Sequence, residues 1–112
     1  MIPASGEVYR VELSGGRRGR EQRGPRYAVV VQHDDFGWPS TQLCVLTSKS
    51  AQPSRFNVPV TVADEPTLAL ATQAIALDVE TRLSPDRLVG RIRADELEEV
   101  RLALVMLISG QE

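Results

Sequence analysis

The segment 19–32, GREQRGPRYAVVVQ, limits the possible folds more than any other part of the chain. Its first half is arginine-rich, polar and broken by glycine, so it has no face to pack and reads as the end of a long loop that begins at Ser14-Gly15-Gly16. Its second half, YAVVVQ at 27–32, is apolar and β-branched, as in a central strand. The junction puts Arg26 at the mouth of a rigid sheet, with a basic loop beside it. A phosphodiester would bind to such a pair of features.

The remaining segments fit the same sheet. Glu7–Leu13 alternates, with Val8, Arg10 and Glu12 on one side and Tyr9, Val11 and Leu13 on the other, as in a half-buried strand. The run 43–47 (LCVLT) is a second buried strand. The run 56–62 (FNVPVTV) alternates, but Pro59 has no N–H to give a ladder, which places it at an edge or bulge. Asp64-Glu65-Pro66 reads as a turn. The run 68–79 has the composition of a helix; it is read as extended over 68–77, with a break near Thr72-Gln73. Ser84-Pro85 is a turn and 88–92 (LVGRI) a short strand. Ala94–Ser109 is the one helix. Leu97, Val100, Leu104, Leu107 and Ile108 recur on its inner face, while Glu98, Glu99 and Arg101 point away. Asp95 and Glu96 suit the positive end of its dipole, and Gly110 its C-terminal cap. Five or six strands and a terminal helix imply a small, strongly curved sheet or barrel closed by that helix.

At 112 residues the chain is expected to form one domain, 1–112. Its longest apolar run is too short to span a bilayer, and MIPASGEVYR lacks the basic and apolar regions of a signal peptide, so a cytoplasmic protein without membrane contact is expected. Cys44 is the only cysteine and His33 the only histidine. Together they make neither an intramolecular disulfide nor a zinc site of ordinary spacing, and no metal or cofactor is expected. Cys44, inside an apolar strand, belongs to the core. Charge is unevenly spread. From Arg10 to Arg26, six arginines face two glutamates, a window of +4 in a chain whose net charge is −2, so the remainder carries −6. A basic patch on an acidic body marks either a local anion site or a solvated loop.

The segments GEVYRVEL, GREQRGPRYAVVVQ, LCVLTSKSAQPSRFNVPV, LALATQAIALDVETRL and the closing LVGRI strand with its helix resemble, in order, the motifs of the MazF/PemK toxins of bacterial toxin–antitoxin systems. The resemblance runs over nearly the whole chain. It implies a mainly β fold with a C-terminal helix, an SH3-like small barrel that forms a homodimer and is related to the gyrase poison CcdB. It also implies an mRNA interferase that cuts single-stranded RNA without a metal, and a MazE-like antitoxin whose acidic tail would cover the basic groove.

By this resemblance Arg26 matches the arginine at the scissile phosphate, Thr47 its hydroxyl partner and Glu21 a loop glutamate of the site. Gln73 and Asp78 match a glutamine and an aspartate of the fourth motif. Two departures stand out. Tyr27 replaces the usual proline, and Leu70 and Thr72 occupy the positions of one branch's proposed arginine–aspartate pair, so that branch's acid and base do not carry over.

RNA brings its own nucleophile, the 2′-hydroxyl. The enzyme must align it, move two protons and stabilise the phosphorane, leaving a 2′,3′-cyclic phosphate and a 5′-hydroxyl. Arg26 is the expected charge stabiliser, since its planar fork can hold two phosphate oxygens. Thr47 is expected to bond a phosphate oxygen or the 2′-hydroxyl, and Glu21 to act as base or to orient an arginine. Arg17, Arg18, Arg20 and Arg23 would gather RNA. Ser48, which shares Arg26's face only if its strand ends there, is a further RNA contact. So are His33, a shuttle or a structural histidine, and Asp78, a groove residue or a turn cap. Trp38 either stacks on a base or pins its loop. Two other readings stay open: a gyrase poison of CcdB type, although the tail ISGQE lacks an aromatic anchor, and a degenerate toxin that binds antitoxin without cleaving.

Overall fold

The computed structural model describes residues 2–13, 24–37 and 40–111. Six antiparallel strands form one curled sheet: β1 (Glu7–Leu13), β2 (Gly24–Val30), β3 (Thr41–Ser48), β4 (Asn57–Val62), β5 (Glu65–Asp78) and β6 (Leu88–Arg91), in the spatial order β4-β5-β3-β2-β1-β6. A single turn of helix, α1 (Val79–Arg82), follows β5, and the long helix α2 (Ala94–Ser109) closes the chain. The result is a half-barrel with a C-terminal helix, the fold class expected. Among the described residues no helix is long and apolar enough to cross a membrane.

The apolar runs of β2 and β3 are explained by burial on both faces. Val29, Val31 and Val45 join Val58, Val60, Val62, Val100 and Leu104 in a cluster beneath α2. Ala28, Val30, Cys44 and Leu46 point the other way and pack with Tyr9, Val11, Val79 and Leu83. The short helix α1, which periodicity does not reveal, covers that second face. Asp78 starts it by accepting bonds from the Thr81 N–H and hydroxyl at 2.9 and 2.8 Å. Cys44 is fully buried, and burial pushes its thiol up to about 12.

Several elements differ from the sequence reading. The strand expected over 27–32 begins three residues earlier, because Gly24, Pro25 and Arg26 pair with Leu13, Glu12 and Val11; Arg26 is therefore within the sheet rather than at its mouth. The turn expected at Asp64-Glu65-Pro66 lies at Ala63-Asp64, both at positive φ (50° and 66°), with Glu65 and Pro66 already in β5. A two-residue turn of that hand matches the twist of the strands it joins. The run 68–79, of helical composition, is one continuous strand as far as Asp78. Its break falls where expected: Val45 pairs with Ala74 but Leu46 with Leu70, so residues 71–73 bulge from the ladder.

The edge strand β4 is protected along its outer side. Pro59 has no N–H there, the Asn57 N–H bonds back to Ser54, and the Thr61 N–H donates to Glu96 Oε2 at 2.9 Å. Glu96 also accepts from the Arg93 N–H at 2.9 Å, closing a capping box at the start of α2. Its carboxylate thus satisfies a helix end and a sheet edge together, and losing it strands part-buried donors at a cost of about 1–3 kcal/mol each.

The inner face of α2 is shorter than periodicity implies. Leu104 is its last member of the core, and the final turn runs past the cluster, leaving Leu107 and Ile108 exposed. Arg101, expected in solvent, is half-buried; it donates from Nε to the Val31 carbonyl at 2.9 Å and from Nη2 to Ser5 Oγ at 3.0 Å. Gly110 caps the helix at φ 72°, as expected, and Gly6 takes φ 87° where the chain turns into β1.

Candidate functional site

Residues of β1, β2, β3 and β5, with the segment that follows β3, line a cleft of about 420 Å³. Arg10, Arg26 and Lys49 bring cations to it; Thr47, Ser48, Ser50 and Thr67 bring hydroxyls; Tyr27 brings a phenol. Its described lining contains no carboxylate and no imidazole. Such a surface attracts an anion and offers it many donors.

Arg26 is held from behind. Its Nη2 donates to the Thr47 carbonyl, which fixes the guanidinium across the β2–β3 boundary. Partial burial lowers its pKa; an arginine stays charged regardless. Thr47 is buried, and its hydroxyl makes no hydrogen bond among the described residues. Ser48, the last residue of β3, pairs with Leu68 and lines the cleft beside Thr47. Ser48 Oγ lies 3.3 Å from Ser50 Oγ and accepts from the Ser50 N–H at the same distance. Lys49 Nζ is paired with Glu65 at 3.0 Å.

Two residues named from the sequence lie elsewhere. His33 is seven residues past Arg26 along an extended path, on the order of 20 Å away. Its Nδ1 accepts from the Asp35 N–H at 3.1 Å and starts the 3-10 turn Asp34–Phe36. Asp78 pairs with Thr41, at the end of β3 remote from Ser48, and caps α1. Of the two alternatives for Asp78, capping is the role its geometry displays. Gln73 sits in the β5 bulge, where its buried Oε1 has no partner among the described residues. Leu70 is buried in the sheet and Thr72 is exposed in the bulge. Glu21, Arg17, Arg18, Arg20, Arg23 and Trp38 lie outside the described residues.

Sequence reasoning did not name Arg10, Lys49, Ser50 or Thr67 as parts of this site. The polar step SKS after an apolar strand signals that a strand ends in solvent, but Arg10 and Thr67 come from other strands and are found only through the register.

Similarity to known proteins agrees with this geometry. The family model described as PemK-like, MazF-like toxin of type II toxin–antitoxin system matches residues 4–108. A candidate toxin of Mycobacterium tuberculosis is 44% identical over 68 residues, a match spanning 61% of this chain and 63% of the relative. The crystal structure of MazF from Deinococcus radiodurans superposes with a TM-score of 0.80 at 24% identity over 99% of each chain. A MazE–MazF structure from the same organism gives 0.73 at 21% identity over 97% of each chain. An endoribonuclease in complex with its cognate antitoxin from mycobacterial species gives 0.67 at 14% identity over 98% of each chain. At these identities the likeness to the solved structures is one of fold.

Proposed function

This chain belongs to the PemK-like, MazF-like toxin family of type II toxin–antitoxin systems, and from that premise we propose that it is a cytoplasmic, metal-independent endoribonuclease cutting single-stranded mRNA at short sequences. The observation that carries the reading is the cleft itself: Arg26 tethered to the Thr47 carbonyl, among hydroxyls and further cations. Fixed guanidinium charge serves a phosphorane as a metal ion would, and without reorganising at the moment of reaction.

In this reading the 2′-hydroxyl oxygen attacks the adjacent phosphorus while the bond from phosphorus to the 5′-oxygen breaks. The 2′ proton goes to a base and the 5′-oxygen receives one. Arg26 holds the non-bridging oxygens, Thr47 bonds a phosphate oxygen or the 2′-hydroxyl, and Ser48 adds a donor. Glu21 takes the proton or orients an arginine, and Arg17, Arg18, Arg20 and Arg23 gather the strand electrostatically. His33 and Asp78, at the other end of the sheet, lie outside this step.

Partners follow from the same family. Exposed Leu102, Val105, Leu107 and Ile108 on α2 favour a homodimer that covers them. Solved relatives are bound to antitoxins, which supports a MazE-like antitoxin with an acidic segment over the cationic cleft. The test is direct. Purified protein should cut a long single-stranded RNA in the presence of EDTA, leaving cyclic phosphate ends, and Arg26→Ala should lower cutting on the order of 100- to 1000-fold while its circular dichroism stays native. Undiminished cutting by a folded Arg26→Ala protein overturns the assignment.

A further inference from the structure

The described lining of the Arg26 cleft offers few groups that can give up a proton. It has no carboxylate and no imidazole. Guanidinium groups keep their protons, so Arg10 and Arg26 act only as charges and hydrogen-bond donors. Lys49 is held by Glu65 at 3.0 Å. The hydroxyls of Thr47, Ser48, Ser50 and Thr67 are alcohols, no better as acids than the 5′-hydroxyl that cleavage must release. What remains is the phenol of Tyr27, at one of the positions where this chain departs from the motifs it resembles.

The strand register places that phenol centrally. Arg10 lies directly opposite Tyr27 in the β1–β2 ladder. Ala28 lies opposite Leu46, so one step along the same two strands Tyr27 comes beside Thr47. Two residues further into the sheet, Val8, Val29 and Val45 all belong to the cluster beneath α2, so Arg10, Tyr27 and Thr47 form a row across three strands on that one face. The Tyr27 ring packs against the same cluster, which limits its movement, and its hydroxyl makes no hydrogen bond among the described residues. Arg26 comes to the cleft from the other face of β2, reaching round to the Thr47 carbonyl. A phosphate held by Arg26 beside Thr47 therefore has the row that contains the phenol as its neighbour.

We propose that Tyr27 is the general acid of this cleft. The 2′-oxygen bonds to phosphorus and the bond from phosphorus to the 5′-oxygen breaks. The phenol proton passes to that 5′-oxygen, the 2′ proton leaves to the base, and solvent returns a proton to the phenolate. A phenol is a stronger acid than the alcohol it generates and belongs among the side chains that serve this role. The proposal rests on the ribonuclease reading, and its test separates the two.

Tyr27→Phe keeps the ring that packs on the core and removes only the hydroxyl, so its melting curve should match wild type. Single-turnover cleavage of a short oligonucleotide carrying the mapped cut site should slow on the order of 100-fold, with little change in KM. The decisive substrate has sulfur in place of the bridging 5′-oxygen. A thiolate departs without a proton, so on this substrate Tyr27→Phe should come within a few fold of wild type. Arg26→Ala should be slow on both substrates, because the phosphorane needs its charge whichever atom leaves. Equal losses by Tyr27→Phe on the oxygen and sulfur substrates would make the phenol a positioning group and overturn its role as acid. Undiminished cutting by Tyr27→Phe, with Arg26→Ala still slow, overturns Tyr27 alone. No cutting of either substrate by wild type overturns the ribonuclease reading and the acid with it.

Discussion

Where β2 begins and β3 ends, Arg26, Thr47 and Ser48 line an open cleft; toward the opposite end of the same strands, His33, Asp34, Asp78 and Arg101 are each held by hydrogen bonds. Both ends are rich in groups that could bind or transfer protons to a ligand. The difference lies in what those groups already hold. At the far end His33 accepts from Asp35, Asp34 from the Ser5 N–H, Asp78 from Thr81, and Arg101 donates to Val31 and Ser5. At the cleft end, among the described residues, one hydrogen bond tethers Arg26 and the Thr47 hydroxyl has no partner. Residue type alone does not separate a site from a clasp; unsatisfied hydrogen-bonding capacity beside open space does.

The sharpest way to break this comparison is to cut away each end in turn. Arg26→Ala should lower the cleavage rate on the order of 100- to 1000-fold, the usual consequence of deleting one preorganised donor to a developing oxyanion, with a melting temperature near wild type. His33→Ala should change the rate far less. Equal losses in single-turnover assays would mean that the two ends act together and that the division drawn here is wrong.

Thr47→Val comes next. It keeps the shape of a buried, β-branched residue and the carbonyl that tethers Arg26, and removes only the hydroxyl. A hydrogen bond to a charged partner in a partly buried site is worth about 1.5–3 kcal/mol, so kcat should fall roughly ten- to a hundredfold with little change in KM. A change confined to KM would make Thr47 a ground-state contact instead.

The division between the ends was only partly legible in the chain. β1 and α2 have the bounds their periodicities imply, because a period of 2 or 3.6 is written locally. Arg26 and Thr47 were legible as a pair through motif order. Arg10, Tyr27 and Thr67 come into one cleft only through strand pairing, and the register of β1 on β2 is a long-range property that no local pattern displays. The far end misled for a related reason. His33 and Asp78 are chemically versatile types, and their structural roles depend on partners two or three residues away, Asp35 and Thr81, in turns too short to have a period. The last turn of α2 was misjudged because helical spacing says which side Leu107 and Ile108 occupy but not where the sheet beneath them stops.

Asp78→Ala should test the clasp directly. It removes the cap of α1, whose Val79 belongs with Leu83 to the second core face. Loss of an N-cap destabilises a helix start and what it packs on, so the melting temperature should fall by a few degrees while cleavage per folded molecule falls much less than in Arg26→Ala. A native melting curve with strongly reduced cleavage would move Asp78 back among the RNA contacts.

The smallest expected effect is on acid stability, and it too divides the ends. The Ser5 N–H holds the Asp34 carboxyl below its ordinary pKa, and the Thr81 hydroxyl and N–H do the same for Asp78. A carboxyl depressed in the folded state binds its proton less tightly there than in the unfolded chain. Its stabilising contribution is therefore complete above the unfolded value, near 4, and disappears as pH falls through the lower folded value. The described lining of the Arg26 cleft has no carboxylate to contribute in the same way. Melting temperatures between pH 5 and about pH 2.5 should thus fall less steeply in Asp34→Asn with Asp78→Asn than in wild type, and Thr47→Val should leave the slope as it is. Exposure of both carboxylates keeps the difference small. An unchanged slope in the double variant would place the acid-sensitive contacts elsewhere, with Asp86 and Asp95, also held low by hydrogen bonds, the next to replace.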